Sequence, residues 1–280
     1  MKLDTYDTKE LFEIFTNSNT GVIKIIQQKA AEFESLIDKI VESIKQGGRV
    51  FYIGAGTSGR IGMLDALDVL PTFGENNWFK YSMAGGDQAI LQSLEGYEDD
   101  FELGYNDAKK NNISNKDVLI GLSASGNTKY VKGFLTYAKE VKGYTALIAN
   151  FDNGSCVEVC DKYIFIPVGQ EVILGSTRLK SATAQKIILN NISSITAIKL
   201  NKVYDQYMIN LTPINIKLQK RSIDMIVKIT NCDYQLANST YNQAEQNIPL
   251  AIIMIKNKVD LTKAKKIYQD NDFNLRKCIE

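Results

Sequence analysis

The chain has 280 residues, of which 44% are apolar, so it can bury a sizeable core in one large domain or in one domain with an appendage. Its 33 basic and 32 acidic side chains give a formal net charge of +1, which excludes a bulk electrostatic attraction to nucleic acid or to anionic lipid. It contains no histidine, so serine–histidine triads and histidine zinc sites are excluded, and proton transfer must fall to carboxylates, lysine, tyrosine or cysteine.

The cysteines and the apolar runs indicate the cellular compartment. Cys156, Cys160, Cys232 and Cys278 form neither a CxxC pair nor a disulfide framework. The residues from Met1 to Asp4 start no signal peptide, and the apolar runs fall far short of the roughly 20 residues that span a bilayer. We therefore expect a cytoplasmic protein with reduced thiols, no transmembrane helix and a small molecule as its partner.

The first third of the chain predicts a helical lead-in and the first strand of a sheet. Residues 6 to 46 carry apolar side chains at three- and four-residue spacing, which predicts helix up to Gly47-Gly48. Val50 to Ile53 is a short apolar run typical of a buried parallel strand. A further helical pattern runs from about Ser58 to Leu70, and Pro71 lies just past its end.

Between that strand and that helix lies a loop of small residues, Gly54-Ala-Gly-Thr-Ser-Gly59. Its glycines, Gly56 among them, let the backbone turn and approach a ligand, while Thr57 and Ser58 supply hydroxyls beside the amides of a helix N-terminus. The loop also fits the GxGxxG spacing of dinucleotide folds, and a tight turn without any ligand is the third reading. A dinucleotide site expects an acidic residue at the end of the next strand, whereas Glu75 precedes that strand, so the residues favour a phosphate monoester.

The next stretch predicts a strand, a helix and an acidic patch. Phe79 to Met83 has the pattern of a second strand that ends at Ala84-Gly85-Gly86, and Gln88 to Gly96 has a helical pattern. The acidic patch is ordinarily a solvated helix end, and it contains Glu95, Glu98, Asp99, Asp100 and Glu102.

A third strand, Val118 to Leu122, runs into a second hydroxyl-rich loop. Ser123, Ser125 and Thr128 would bind phosphate oxygens there, and Gly126 would allow close backbone approach. The alternative is an ordinary turn with an N-capping serine. Because both hydroxyl-rich loops follow parallel strands, we expect them to line one crevice at the carboxyl edge of the sheet.

The remaining segments complete an α/β pattern. A helix over Tyr130 to Lys139 and strands over Tyr144 to Ala149 and Tyr163 to Val168 are predicted, followed by a long helix from Gly175 to about Leu200 with Ser176 or Thr177 as its N-cap. From Pro213 the pattern is helical, with breaks near Asn231, Asn247 and Asp260. We therefore predict a parallel five-stranded sheet with helices on both faces over residues 1–212, and a small all-helical domain over residues 213–280.

The motifs resemble those of the sugar isomerase (SIS) domain, a phosphosugar-binding fold, and most closely those of the N-acetylmuramic acid 6-phosphate etherases. The resemblance covers most of the chain in order, and the stretch from Gly175 to Lys186 is its most specific part. The stretches that carry it are Gly54-Ala-Gly-Thr-Ser-Gly-Arg60, Pro71-Thr-Phe-Gly74, Ala84-Gly-Gly86, Glu95-Gly-Tyr-Glu-Asp-Asp100, Gly175-Ser-Thr-Arg-Leu-Lys180, Thr183-Ala-Gln-Lys186 and Lys202-Val-Tyr204.

The resemblance implies a cytoplasmic, metal-free and cofactor-free enzyme that forms a homodimer with its active site near the interface. Such an enzyme cleaves the lactyl ether of N-acetylmuramic acid 6-phosphate, giving N-acetylglucosamine 6-phosphate and D-lactate in the recycling of cell-wall sugars. The implied reaction is an elimination followed by addition of water. One carboxylate removes the proton on carbon 2 and a second carboxyl group protonates the departing ether oxygen, which suits two acids in unlike surroundings.

By position, the resemblance implies Glu98 as the proton abstractor and Asp68 as the proton donor. Asp68 falls at the family's first catalytic glutamate and Glu98 at the second. The carboxyl group of Asp68 is therefore one methylene shorter than the family's, and a displacement of about an ångström can cost about a hundredfold in rate. Asn127 and Lys129 also replace the family's arginine and proline. Further residues implied to line the site are Glu171, Ser176, Thr177, Arg178 and Lys180, although Arg178 and Lys180 also fit solvated charges near a helix start.

A second hypothesis is a phosphosugar sensor that keeps the crevice without the chemistry, as the related glucokinase regulator illustrates. A phosphosugar isomerase or another lyase is a third reading. Asp68 distinguishes the first two, because an acid that cannot reach the ether oxygen leaves only binding. Glu98 has its own alternative as a bystander among its acidic neighbours.

Overall fold

The computed structural model describes residues 1–213 and 216–280, which form two compact units. The first unit comprises Met1–Leu67 and Asn77–Ser193 and contains the sheet. The second comprises Asp68–Asn76 and Ser194–Glu280 and is built mainly from helices. The domain boundary between residues 212 and 213 stays a prediction.

The N-terminal lead-in consists of three helices: α1 (Thr8–Ser18), α2 (Val22–Gln28) and α3 (Ala30–Lys45). α1 begins with a capping box in which the Asp7 carboxylate accepts from the Glu10 amide and the Glu10 side chain accepts from the Asp7 amide. The helix predicted over residues 6 to 46 is thus three helices, with interruptions between residues 18 and 22 and again at Lys29.

The five predicted strands are β1 (Val50–Gly54), β2 (Phe79–Met83), β3 (Val118–Leu122), β4 (Tyr144–Ala149) and β5 (Lys162–Phe165). They form one parallel sheet in the order β2-β1-β3-β4-β5. Every residue of β1 and β3 is buried, as expected for central parallel strands. The prediction that the fifth strand continues to Val168 is wrong, because Pro167 has no amide hydrogen with which to extend the ladder.

Five helices follow the strands: α4 (Gly56–Phe73), α5 (Gln88–Leu91), α6 (Phe101–Lys110), α7 (Lys129–Glu140) and α8 (Lys180–Lys199). Two helix predictions are wrong at their ends. Pro71 lies inside α4 instead of past it. The helix predicted to reach Gly96 stops at Leu91, where the Arg60 guanidinium donates to the carbonyls of residues 89, 90 and 92 and thereby takes the place of further helical amides.

The prediction that α8 begins at Gly175 with Ser176 or Thr177 as its N-cap is also wrong. The helix begins at Lys180, and the Glu171 carboxylate accepts from the amides of Lys180 and Ser181, at 2.9 Å each. The Ser181 hydroxyl donates to the same carboxylate at 2.8 Å. A carboxylate nine residues upstream thus caps the helix, which local sequence patterns do not reveal.

The second unit holds the helices α9 (Ile216–Thr230), α10 (Tyr234–Gln243), α11 (Ile248–Asn257), α12 (Leu261–Asp270) and α13 (Leu275–Ile279). The predicted breaks near Asn231, Asn247 and Asp260 are confirmed, and Asn247 and Asp260 cap the helices that follow them. The start of this region after Pro213 falls on residues 214–215, outside the described residues. Within the parts described, no helix combines the length and the apolar character that crossing a bilayer requires.

Candidate functional site

The topological switch point of the sheet lies between β1 and β3. Gly54, at the end of β1, pairs with Met83 of β2 on one side and with Leu122 of β3 on the other. The chain leaves β1 through α4 toward β2, whereas β3 lies on the opposite side, and open parallel sheets bind ligands where the strand order divides in this way. Two segments flank this point: residues 54–58, the end of β1 with the first turn of α4, which we call the first loop, and residues 123–128, which we call the second loop.

The first loop leaves its polar groups available. Gly56 opens α4 with φ of +52°, and a Cβ added there would meet no atom within 4 Å. Thr57 and Ser58 lie in the first helical turn, half-buried, and their hydroxyls make no hydrogen bond to another described residue. The amides of a first helical turn also lack intrahelical partners. Hydroxyls and amides together can therefore receive an anion here.

The other glycines of this motif have a different role from the one predicted. We expected Gly54 and Gly59 to permit close approach of a ligand. A Cβ at Gly54 would lie 2.7 Å from the Gly59 nitrogen, and a Cβ at Gly59 would lie 2.7 Å from Cγ of Met83. These two glycines therefore allow the chain to pack against itself, and among the three only Gly56 faces open space.

The second loop is held by its own hydrogen bonds. The Ser123 and Thr128 hydroxyls lie 2.8 Å apart, and Ser123 is 2% exposed. The Ser125 hydroxyl accepts from the Asn127 amide at 3.2 Å. Gly126 has φ of +71°, and a Cβ there would lie 3.0 Å from Cα of Gly154. The loop is thus fixed before any ligand binds, and its exposed hydroxyl is that of Ser125.

The second loop leads directly into α7. Thr128 occupies the N-cap position without a side-chain capping hydrogen bond, because its hydroxyl is paired with Ser123. The alternative prediction, an ordinary turn with an N-capping serine, is therefore wrong, because the N-cap residue is Thr128. The first-turn amides of α7 face the same edge of the sheet as those of α4, since β1 and β3 are adjacent and parallel.

Glu98 lies in a short 3₁₀ turn, Tyr97–Asp99, beside the second loop. The Asp99 carboxylate is 3.6 Å from the Lys129 ammonium at the start of α7. On the other side, a Cβ at Gly85, just after β2, would lie 3.4 Å from the Tyr97 ring. The Glu98 side chain is exposed and makes no hydrogen bond to any residue that the structure describes. The structure thus places the turn that carries Glu98 beside the start of α7.

Asp68 lies on α4, exposed, and twelve residues after Gly56. A helix rises about 1.5 Å per residue, so these two positions are about 18 Å apart along the helix axis.

The remaining predicted residues belong to the segment that follows β5. Glu171 and Lys180 are 4% and 9% exposed, and the Lys180 ammonium donates to the Val168 carbonyl at 2.8 Å. Both side chains therefore hold this segment to the start of α8. Arg178 is exposed and forms no ion pair with a described residue. Ser176 and Thr177 are half-buried, in the turn before the helix.

Sequence reasoning missed Asp65, a 3% exposed carboxylate on α4. It accepts from the Tyr52 hydroxyl at 3.0 Å and from the Ser193 hydroxyl at 3.1 Å, which joins α4 to β1 and to α8. Burial and the Asp65 charge raise the pKa of Tyr52 well above its ordinary value, so the phenol stays a donor. The available signal was a carboxylate inside the apolar stretch from Ile61 to Leu67.

Comparison with known proteins supports the class of fold. A family model described as the glucokinase regulatory protein N-terminal SIS domain matches residues 32–139. A phosphoheptose isomerase from Francisella tularensis has a TM-score of 0.53 and 15% identity, covering 69% of this chain and 100% of that chain. A phosphoheptose isomerase from Neisseria gonorrhoeae has a TM-score of 0.50 and 15% identity, covering 67% of this chain and 97% of that chain. Fold and switch-point loops together define a SIS-type α/β protein.

Relatives with higher identity extend over almost the whole chain. The N-acetylmuramic acid 6-phosphate etherase of Pseudothermotoga lettingae is 40% identical over 279 residues, which is 99% of this chain and 93% of that protein. The etherase of Clostridioides difficile is 40% identical over 268 residues, 95% of this chain and 88% of that protein. The chain belongs to the N-acetylmuramic acid 6-phosphate etherase family.

Proposed function

We propose that this protein cleaves the D-lactyl ether of N-acetylmuramic acid 6-phosphate, giving N-acetylglucosamine 6-phosphate and D-lactate. The observation that carries the proposal is the 40% identity to named etherases over nearly the full chain. The geometry of the switch point is compatible with it, because two loops with hydroxyls and unpaired helix amides meet where a phosphate would enter.

The phosphate belongs between the two loops. Gly56, Thr57 and Ser58 offer amides and free hydroxyls on one side. On the other side, the Ser125 hydroxyl and the first-turn amides of α7 face the same edge, while the paired hydroxyls of Ser123 and Thr128 and the internal hydrogen bonds of Gly126 hold the loop in shape. Of the residues after β5, Ser176, Thr177 and Arg178 are available to the sugar, and the buried Glu171 and Lys180 position that segment.

Glu98 acts as the base in this proposal and Asp68 as the acid. The Glu98 carboxylate takes the proton from carbon 2, the bond between carbon 3 and the ether oxygen breaks, and the lactate oxygen receives a proton from Asp68. Water then adds across the resulting double bond, with the two groups in reversed roles. The exposure of Glu98 and its lack of a partner among the described residues suit a base that must reach a substrate.

The dimer supplies Asp68 to the neighbouring site in this proposal. Asp68 lies about 18 Å along α4 from Gly56, farther than a hexose phosphate extends. Leu64, Leu67 and Leu70 flank it on the same helix and are 42%, 56% and 43% exposed, which suits burial against a second copy.

The four free cysteines suit a reducing cytoplasm, where we place the protein.

Release of D-lactate from N-acetylmuramic acid 6-phosphate tests the activity directly. We expect release by the native protein and a loss of at least about a hundredfold in Glu98→Gln, with the substrate still raising the melting temperature. Asp68→Glu, which restores the side-chain length of the family, should raise the rate. Binding without any release, even at high enzyme concentration, would contradict the proposal and make this a phosphosugar sensor.

Mixing two inactive variants tests the shared site. In a mixed dimer of Asp68→Asn and Glu98→Gln chains, one of the two sites recovers both native carboxyl groups if they come from different chains. We therefore expect D-lactate release from the mixture and none from either variant alone. A mixture that stays inactive, while size exclusion shows mixed dimers, would place both carboxyl groups of a site on one chain.

A further inference from the structure

One face of α9 carries four basic side chains that line a pocket of about 650 Å³ in the helical unit. These side chains are exposed, and they recur at intervals that place them on one side of the helix. The opposite, core-facing side contains Ser222, Ile223 and Ile226, whereas Met225 lies at the edge and also lines the pocket. The basic residues are Lys217, Lys220, Arg221 and Lys228, and we refer to this site as the α9 pocket.

No carboxylate among the described residues forms an ion pair with these four cations, and Asp224 is the one acidic residue in the lining. Asp224 does not come within 4.0 Å of any of their nitrogens, although its spacing from Lys220, Arg221 and Lys228 would permit it. The whole chain has a net charge of only +1. An excess of positive charge is therefore concentrated in one pocket.

The placement along the helix is unfavourable in the empty pocket. Lys217, Lys220 and Arg221 lie within the first six residues of α9, whose first turn contains no acidic residue. The helix dipole is positive at this end and favours anions, so three cations there repel both one another and the dipole. A bound anion removes this repulsion.

The lining of the pocket indicates what kind of anion fits. Lys217, Lys220 and Arg221 together offer ammonium and guanidinium donors for a phosphate. Lys228 follows Arg221 by seven residues, about 10 Å along the helix, so it can bind a second anionic group. Asp224 lies between them and can accept from sugar hydroxyls.

We infer that the α9 pocket binds a small phosphorylated sugar acid, with its phosphate at Lys217, Lys220 and Arg221 and its carboxylate at Lys228. The volume lies within the range of ligand pockets, roughly 300–1,000 Å³. Tyr207, from the segment before α9, adds a half-buried ring to the lining. The inference does not rest on the etherase activity, because all of these residues belong to the helical unit.

Calorimetric titration of the full chain with 6-phosphogluconate, a phosphorylated sugar acid, tests the inference. We expect binding by the native protein and a loss of about tenfold or more in affinity in an Arg221→Gln/Lys228→Gln double variant. Lys266→Gln is the matched control, since Lys266 is an exposed lysine of α12 without an ion pair among the described residues. Binding of 6-phosphogluconate at any other site contributes equally to the isotherms of the three proteins, so it does not change the difference between them.

Two further measurements show which side chains bind the phosphate and whether the pocket is independent of the etherase activity. Glucose 6-phosphate, which lacks the carboxylate, should lose affinity in Arg221→Gln and not in Lys228→Gln. D-lactate release should be the same in the double variant and in the native protein, so that failure here is separate from failure of the etherase proposal. Indistinguishable isotherms in the native protein and the double variant, or tighter and steeply salt-dependent binding of an oligonucleotide, would overturn the inference.

Discussion

The first and second loops stand at adjacent strand ends and yet are built in opposite ways. The first loop leaves the Thr57 and Ser58 hydroxyls without hydrogen-bond partners among the described residues and Gly56 beside open space. The second loop pairs Ser123 with Thr128 and presses Gly126 against Gly154. The Thr57 and Ser58 hydroxyls can therefore rotate toward a ligand, while the second loop presents a fixed surface, and pre-organised contacts of the second kind reduce the ordering cost of binding.

The largest expected effect comes from breaking the contact under the second loop. A Cβ on Gly154 would lie 2.3 Å from the Gly126 carbonyl oxygen, and that neighbour is backbone. We expect Gly154→Ala to lower the free energy of unfolding by about 1–3 kcal/mol and to abolish D-lactate release, because the loop cannot keep its shape. Urea unfolding and the lactate assay measure both.

Gly56→Ala is the matched control for Gly154→Ala. Its added Cβ meets no atom, so only the positive φ is penalised, by about 1 kcal/mol. Equal damage from the two substitutions would contradict the contrast between an open and a packed loop.

Removing one hydroxyl from each loop tests the same difference between paired and unpaired hydroxyls. Ser123→Ala removes the buried partner of the Thr128 hydroxyl and should cost about 1–2 kcal/mol of stability in addition to weaker binding. Thr57→Val removes a hydroxyl without a described partner, so stability should change by less than about 0.5 kcal/mol while KM rises about tenfold. A Thr57→Val protein that lost stability and kept its KM would show that this hydroxyl is structural.

A smaller effect is expected from the side chain that ties the second loop to its neighbour. The side-chain Oδ1 of Asn127 accepts from the Ser155 amide at 2.8 Å, and its side-chain Nδ2 donates to the Ser125 carbonyl at 3.2 Å. Asn127→Ala should cost about 1 kcal/mol and a few-fold in kcat/KM, since Gly126 and Gly154 still pack. The control is Asn115→Ala, since Asn115 is an exposed asparagine between α6 and β3. It should change neither the free energy of unfolding nor kcat/KM.

The smallest effect concerns the thiol beneath the second loop. Cys156 is fully buried, its amide donates to the Gly126 carbonyl, and burial raises the pKa of its thiol to about 12. An unfolded cysteine has a pKa near 8.5, so from pH 6 to 7 both states hold a neutral thiol and Cys156 should add almost no pH dependence to stability. Above about pH 8 the unfolded thiol ionises and the folded one does not, so stability should fall as the pH rises further.

Labelling at pH 8 measures this protection. Half-buried Cys232 should react with a thiol reagent while Cys156 stays unmodified, since little thiolate forms in the folded state below about pH 12. Rapid modification of Cys156 in the folded protein would mean that the second loop opens and is less fixed than its hydrogen bonds indicate.

The sequence by itself determined the sheet and the position of both loops. Val50 to Ile53, Phe79 to Met83 and Val118 to Leu122 are short apolar runs, and burial on both faces of a parallel sheet requires such runs. Glycines and hydroxyl residues at strand ends indicated the loops, because their backbone and side-chain chemistry acts locally. The breaks between the C-terminal helices followed in the same way from capping residues.

Only the tertiary structure decided what the residues of each motif do. Glu171 caps α8 from nine residues away, Arg60 ends α5 from about thirty residues away, and Gly54 and Gly59 serve packing, all of which depend on groups distant in sequence. The contrast between free and paired hydroxyls, and the unneutralised cations of α9, likewise depend on which partners folding brings near. Sequence patterns report local preferences, whereas the partners of a polar side chain are set by the whole fold.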